Sequence, residues 1–110
     1  MRYFEPEDVE RDALERALRH GGTDAICSSL IGLVFHDGNW KWLQDTCLGL
    51  LTHESASVRK CAVTSLGHIA RIHRALETDV VVPRLEALRS NTEIGGTAND
   101  ALEDISIFLA

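Results

Sequence analysis

Apolar residues recur three and four positions apart in six segments of this chain, and short runs of Gly, Asn, Asp, Ser and Thr separate those segments. That period is helical. "EPEDVERDALERALRHGG" stacks Val9, Ala13 and Ala17 beside Leu14 and Leu18. Pro6 suits its first turn, acids crowd its start, and Gly21–Gly22 ends it behind Arg19 and His20. Thr23 is placed to cap a second helix, "DAICSSLIGLVFH", with Ile26, Leu30, Leu33 and Val34 in register. Asn39 or Asp37 can cap the third, "WKWLQDTCLGLLTH", where Trp40, Gln44, Cys47, Leu48 and Leu51 trace one face and Leu43 and Leu50 another, the pattern of a helix packed between neighbours.

The fourth and longest helix is "VRKCAVTSLGHIARIHR", capped by Ser55 or Ser57, with Val58, Cys61, Ala62, Leu66, Ile69 and Ala70 in register and an end near Ala75 or Leu76. The fifth starts at Thr78 or Asp79 and runs through "VVVPRLEALRS", which requires Pro83 to fall in its opening turn. "VVV" is too short, and too close to a proline, to be a strand. After the loop "SNTEIGGT", Thr97 can cap a sixth helix that keeps Ala101, Leu102, Ile105, Phe108 and Leu109 on one side.

Short connections between six amphipathic helices predict an all-α fold, one domain over 1–110, with antiparallel hairpins over 6–36, 39–76 and 79–109. Internal repetition favours a stack of hairpins over a closed bundle. Leu51 aligns with Leu88 at 37 residues, and Val58, Ala62, Ser65, Leu66 and Ile69 align with Ile94, Ala98, Ala101, Leu102 and Ile105 at 36. A weaker first copy pairs Leu18 with Leu51, Ser29 with Ala62 and Leu33 with Leu66.

With 110 residues, 45% hydrophobic and 25% charged, the chain can bury a core without disulfide or metal. Cys27, Cys47 and Cys61 include no C-x-x-C pair and each lies among apolar residues at helical spacing, so all three are expected as reduced core thiols. "MRYFEPEDVE" offers no signal-peptide core and no window approaches a membrane span, which predicts action inside the cell. The net charge is −6, and the fourth helix takes four of the eleven cations with no acid, leaving seven cations against seventeen acids elsewhere, a balance of −10. Such a surface disfavours nucleic acid and anionic membrane and suits a basic partner protein.

Candidate chemistry is sparse. His68 and His73 lie five apart, about 140° around a helix, and Cys61 to His68 spans two turns, about 10 Å, so no metal set converges. His20, His36 and His53 accompany no nucleophile elbow or phosphate loop, and Gly95–Gly96 serves a turn more readily than an anion. No catalytic, cofactor or metal residue is therefore expected.

"SVRKCAVTSLGHIA", through Val58–Arg59, Ala62, Leu66, Gly67 and Ile69, resembles the second helix of a HEAT repeat, and "WLQDTCLGLLTHES" the first helix and its turn. The resemblance is good over Trp40 to Ile72, fair over Val80 to Phe108 and poor over the first 38 residues; the last copy has Gly95–Gly96 where Arg59–Lys60 stands. It implies a short α-solenoid with a concave binding surface, and an inter-repeat ladder role for Arg59, for which Glu54 is available. More narrowly, "WxWxQxxCLxLL" followed by "VRxxAxxxLGHIARIH" resembles HEAT-like immunity proteins of bacterial contact-dependent and polymorphic toxin systems. That resemblance implies a monomeric, cytoplasmic, non-catalytic inhibitor of a cognate toxin with a basic surface, and the acidic charge fits a nuclease. The alternative is a HEAT-repeat adaptor in a larger bacterial assembly. On either reading Trp40 is core, while Trp42 shares a polar face with Asp45, Thr46 and Gly49 and is a candidate anchor. Asp37, Asp45, Asp100, Glu103 and Asp104 would complement a cationic site. His68, Arg71, His73 and Arg74 form a basic island that either favours the helix C-terminus or meets the partner.

Overall fold

The polar breaks are where the chain turns. The computed structural model describes residues 6–109, with side chains from Glu10 onward, and among these forms α1 (Pro6–His20), α2 (Thr23–His36), α3 (Trp40–Leu50), α4 (Ala56–His73), α5 (Thr78–Glu86) and α6 (Gly95–Phe108), with no strand. The described residues therefore form an all-α fold of six helices. Val9, the expected start of the α1 stripe, lies outside the described side chains. Two expected caps are in place: Asn39 accepts from the Trp42 N–H at 3.0 Å, and Ser55 from the Val58 N–H at 3.4 Å.

Four boundaries differ from expectation. Gly22, not Thr23, precedes α2, with no side-chain cap. Thr97 lies inside the first turn of α6, because the Asn91 side chain closes the preceding loop by accepting from the Glu93 and Ile94 N–H groups at 2.8 and 3.1 Å. α4 stops at His73 because Arg74 turns left-handed, φ 53°. Pro83 is the sixth residue of the nine-residue α5, so the Asp79 carbonyl lacks its helical donor. Asp79 is exposed and water can take that place, while the chain beyond Glu86 tightens into turns.

Contacts between helices establish the stacking. Cys27 of α2 meets Cys61 of α4, and two turns further along both helices Phe35 meets His68, so α2 and α4 run side by side in one direction. Gly67 packs against Ala101 and Asp104 of α6, and Arg74 lies over Phe108, which extends the same parallel layer. α1, α3 and α5 form the other layer: Arg11 covers Trp42, and Lys41 and Gln44 reach Glu77 at the start of α5. The result measures 49 × 29 × 17 Å, an elongated body two helices thick. α4 is its axis and buries Val58, Ala62, Val63, Ser65, Leu66, Gly67, Ile69 and Ala70 against α2, α3 and α6. Burial of each large apolar side chain among these contributes about 1.5–3 kcal/mol.

The cysteines depart from the expected set of reduced thiols. Cys27 and Cys61 are joined across α2 and α4, with Cα atoms 5.8 Å apart, and only Cys47 is free. The parallel helices bring two partly exposed positions within bridging distance, a proximity that intrahelical spacing does not encode. Arg59 does link neighbouring hairpins, but through other groups than the Glu54 carboxylate. Its guanidinium donates to the His53 and Glu54 carbonyls at 2.7 and 3.0 Å and faces Glu93 at 3.6 Å.

Candidate protein-binding face

The structure divides the candidate partner residues between two sides. Three lie in or beside the layer of first helices and are held by neighbours. Asp37 is only 1% exposed; its carboxylate accepts from Arg11 Nε and Nη2 at 2.7 and 3.1 Å and from the Asn39 N–H at 2.9 Å. Burial would raise its pKa, but the Arg11 and Asn39 hydrogen bonds, with the charges of Arg11 and His73, outweigh that and hold it below the usual carboxylate range. Asp37 therefore fastens the α2–α3 turn and is withdrawn from any partner surface. Asp45 is exposed yet shared by Lys41 at 2.9 Å and Gln44 at 3.3 Å, and the Lys41 hydrogen bond lowers its pKa. Gln44, fully buried, accepts from the Glu77 N–H and donates to its carboxylate, both at 2.7 Å, which ties α3 to α5.

Trp42 is half-buried, like Trp40, and packs against the core. The Arg11 guanidinium sits 4.1 Å from its ring centroid, which leaves a groove lined by Arg11, Leu14, Leu18, Trp42 and Thr46 between α1 and α3. Since Arg11 is committed to Asp37, this tryptophan is largely an internal contact.

The remaining candidates converge on the layer of second helices. His68 faces Phe35 with ring centroids 6.0 Å apart, and its Nδ1 lies 3.1 Å from Arg71 Nη2. Partial burial, and then the Arg71 charge, lower the His68 pKa against the opposing pull of Asp104. The neutral imidazole this favours is the form that accepts the Arg71 donor. Arg74 donates through Nε to the Arg71 carbonyl at 3.2 Å and lies 4.9 Å from the Phe108 centroid. His73 points the other way, its Nε2 donating to the Val34 carbonyl at 2.9 Å, and locks α4 to α2. On α6, Asp100, Glu103 and half-buried Asp104 share one stripe, and Ile107 follows one turn beyond.

Two large apolar side chains complete this face without having been singled out from sequence: Phe35, 51% exposed, and Ile107, 60% exposed. Each sits on the side of its helix roughly opposite the buried stripe, about 150–180° around, and that offset was the available signal. The face thus combines apolar edges on α2 and α6, two arginines on α4 and acids on α6. Among the described residues no group of three His, Cys, Asp or Glu is placed to hold a metal ion. Nor is any helix there long and apolar enough to cross a membrane.

No protein-family model and no curated protein matches this chain. Among solved structures it is similar to a chain in the crystal structure of a CDI complex from Cupriavidus taiwanensis. The match covers 98% of this chain and 96% of that one, with 27% identity and a TM-score of 0.80.

Proposed function

We propose that this chain is an immunity protein of a contact-dependent growth inhibition pair, a non-catalytic inhibitor that binds and neutralises one cognate toxin domain. The observation that carries this reading is the end-to-end likeness to a chain of a CDI complex, which spans all three hairpins rather than a shared helix pair. The stacked hairpins, read as a short HEAT-like solenoid, supply a broad face built for a protein partner. The net charge of −6 suits a toxin with a basic surface, as a nuclease has, and speeds association with it. The partner contacts of this reading are Arg71, Arg74, His68, Asp100, Glu103 and Asp104, with Asp45 and Trp42 peripheral. The inhibitor acts as a monomer in the cytoplasm of the producing cell.

The test is co-expression with the toxin domain encoded beside this gene. Cells should grow when both are made, arrest when the toxin domain is made alone, and yield a complex of the two on purification. Arrest despite abundant folded inhibitor, with no co-purification, would rule the assignment out.

A further inference from the structure

Arg71 and Arg74 are held by groups other than carboxylates, as are Arg84 on the Leu48 carbonyl and Arg89 on the Asn99 side chain, but only Arg71 and Arg74 share the end of one helix. Arg11, Arg19, Lys41 and Arg59 each face a carboxylate. Arg71 is held by an imidazole nitrogen, and Arg74 by an aromatic ring and a backbone carbonyl; neither has an acid partner among the described residues. Both are exposed, one turn apart, and their charge is directed to solvent from fixed positions in a chain with seventeen acids. Arg74 also occupies the left-handed residue ending α4, φ 53°, where glycine would be free of strain. An arginine kept at such a position points to a use for its side chain.

We infer that the face of α2, α4 and α6 docks a carboxylate-bearing segment of the toxin, with Arg71 and Arg74 as paired anchors between the apolar edges Phe35 and Ile107. This rests on the immunity reading above and specifies its contact. Arginine's fork matches a carboxylate in bidentate geometry, and holding both side chains in place beforehand reduces the ordering cost of binding. Asp100 and Glu103 on the neighbouring α6 favour basic residues flanking that carboxylate and oppose a continuous run of phosphates. A second copy of this chain, docked about a two-fold axis through α4, would set arginine against arginine.

The affinity of the full chain for the purified toxin domain tests this, with Arg71→Glu, Arg74→Gly and the double charge reversal Arg71→Glu/Arg74→Glu. We expect Arg71→Glu to weaken the complex about 100-fold, and the double reversal more, with unchanged melting temperatures. Arg74→Gly should weaken it while keeping or raising the melting temperature. Wild-type affinity in the double reversal would overturn the inference and leave the immunity reading intact, whereas no complex with the unaltered chain would overturn both. Loss of stability in Arg74→Gly with unchanged affinity would overturn the anchor role and show that Arg74 serves only to pack on Phe108. Arg71-dependent binding of a duplex oligonucleotide at physiological salt would replace the carboxylate with phosphate.

Discussion

Arg11 and Asp37, twenty-six residues apart in sequence, form a two-pronged ion pair that closes the turn between the first two hairpins, with the carboxylate almost fully buried. Replacing the carboxylate by an amide removes the charge and one of the two acceptor oxygens, and sets an NH2 donor against Arg11 or the Asn39 N–H. Asp37→Asn should therefore lose about 2 kcal/mol of stability. The pH dependence has a definite sign. The folded-state pKa is depressed, so the contribution is present above the ordinary carboxyl value of about 3.9 and is lost as pH falls through the lowered folded value. Acid titration of the melting temperature should thus fall more steeply below about pH 4 in the parent chain than in Asp37→Asn. Parallel curves would show that the pair does not set the acid limb.

The Cys27–Cys61 bridge spans 34 residues and joins α2 to α4. Chain-entropy arguments assign such a loop about 3–4 kcal/mol, so reduction or Cys27→Ser should lower the melting temperature without dissolving the helices, because the apolar core around α4 remains. Thiol labelling of the denatured, unreduced protein should report one cysteine, and three after reduction. Native Cys47 should resist labelling, since burial pushes its pKa up to about 12. A cytoplasmic pool alkylated at lysis tests the compartment, since a reducing environment keeps both partners as thiols.

Gly95 and Gly96 separate a steric requirement from a propensity. A Cβ at Gly95 would collide with the Arg89 carbonyl oxygen, whereas one at Gly96 meets nothing within 4 Å. Gly95→Ala should cost about 1–3 kcal/mol in thermal denaturation. Gly96→Ala should be neutral or stabilising by up to about 1 kcal/mol, as alanine favours the helix. Equal effects at both sites would contradict the close loop approach. That approach also accounts for Gly95 standing where the middle copy has Arg59, while nothing in the structure requires glycine at Gly96.

Asp100 and Glu103 are exposed and have no ion-pair partner among the described residues. Reversing both to lysine should slow association with the toxin domain about tenfold at low salt, and much less at high salt, while the melting curve stays in place. Asp104 is better left intact in this experiment because its carboxylate packs against Gly67. A salt-independent rate equal to that of the parent would remove steering from the account.

The six helices and most of the core were legible in the sequence, because periodicity records which side of each helix is apolar. Ile26, Leu30, Val58, Leu66, Ile69, Ala101 and Ile105 are buried as their spacing indicates. Spacing carries no record of which helix lies opposite. The parallel placement of α2 and α4 decided that Cys27 and Cys61 meet, and the folded turn decided that Asp37 is an internal partner of Arg11 rather than a surface acid. A binding face drawn from three helices is likewise assembled from stripes that look solvated one at a time. The basic island of α4 was visible in the chain by itself; its position between Phe35 and Ile107, and the non-acidic groups that hold its arginines outward, exist only once the hairpins stack.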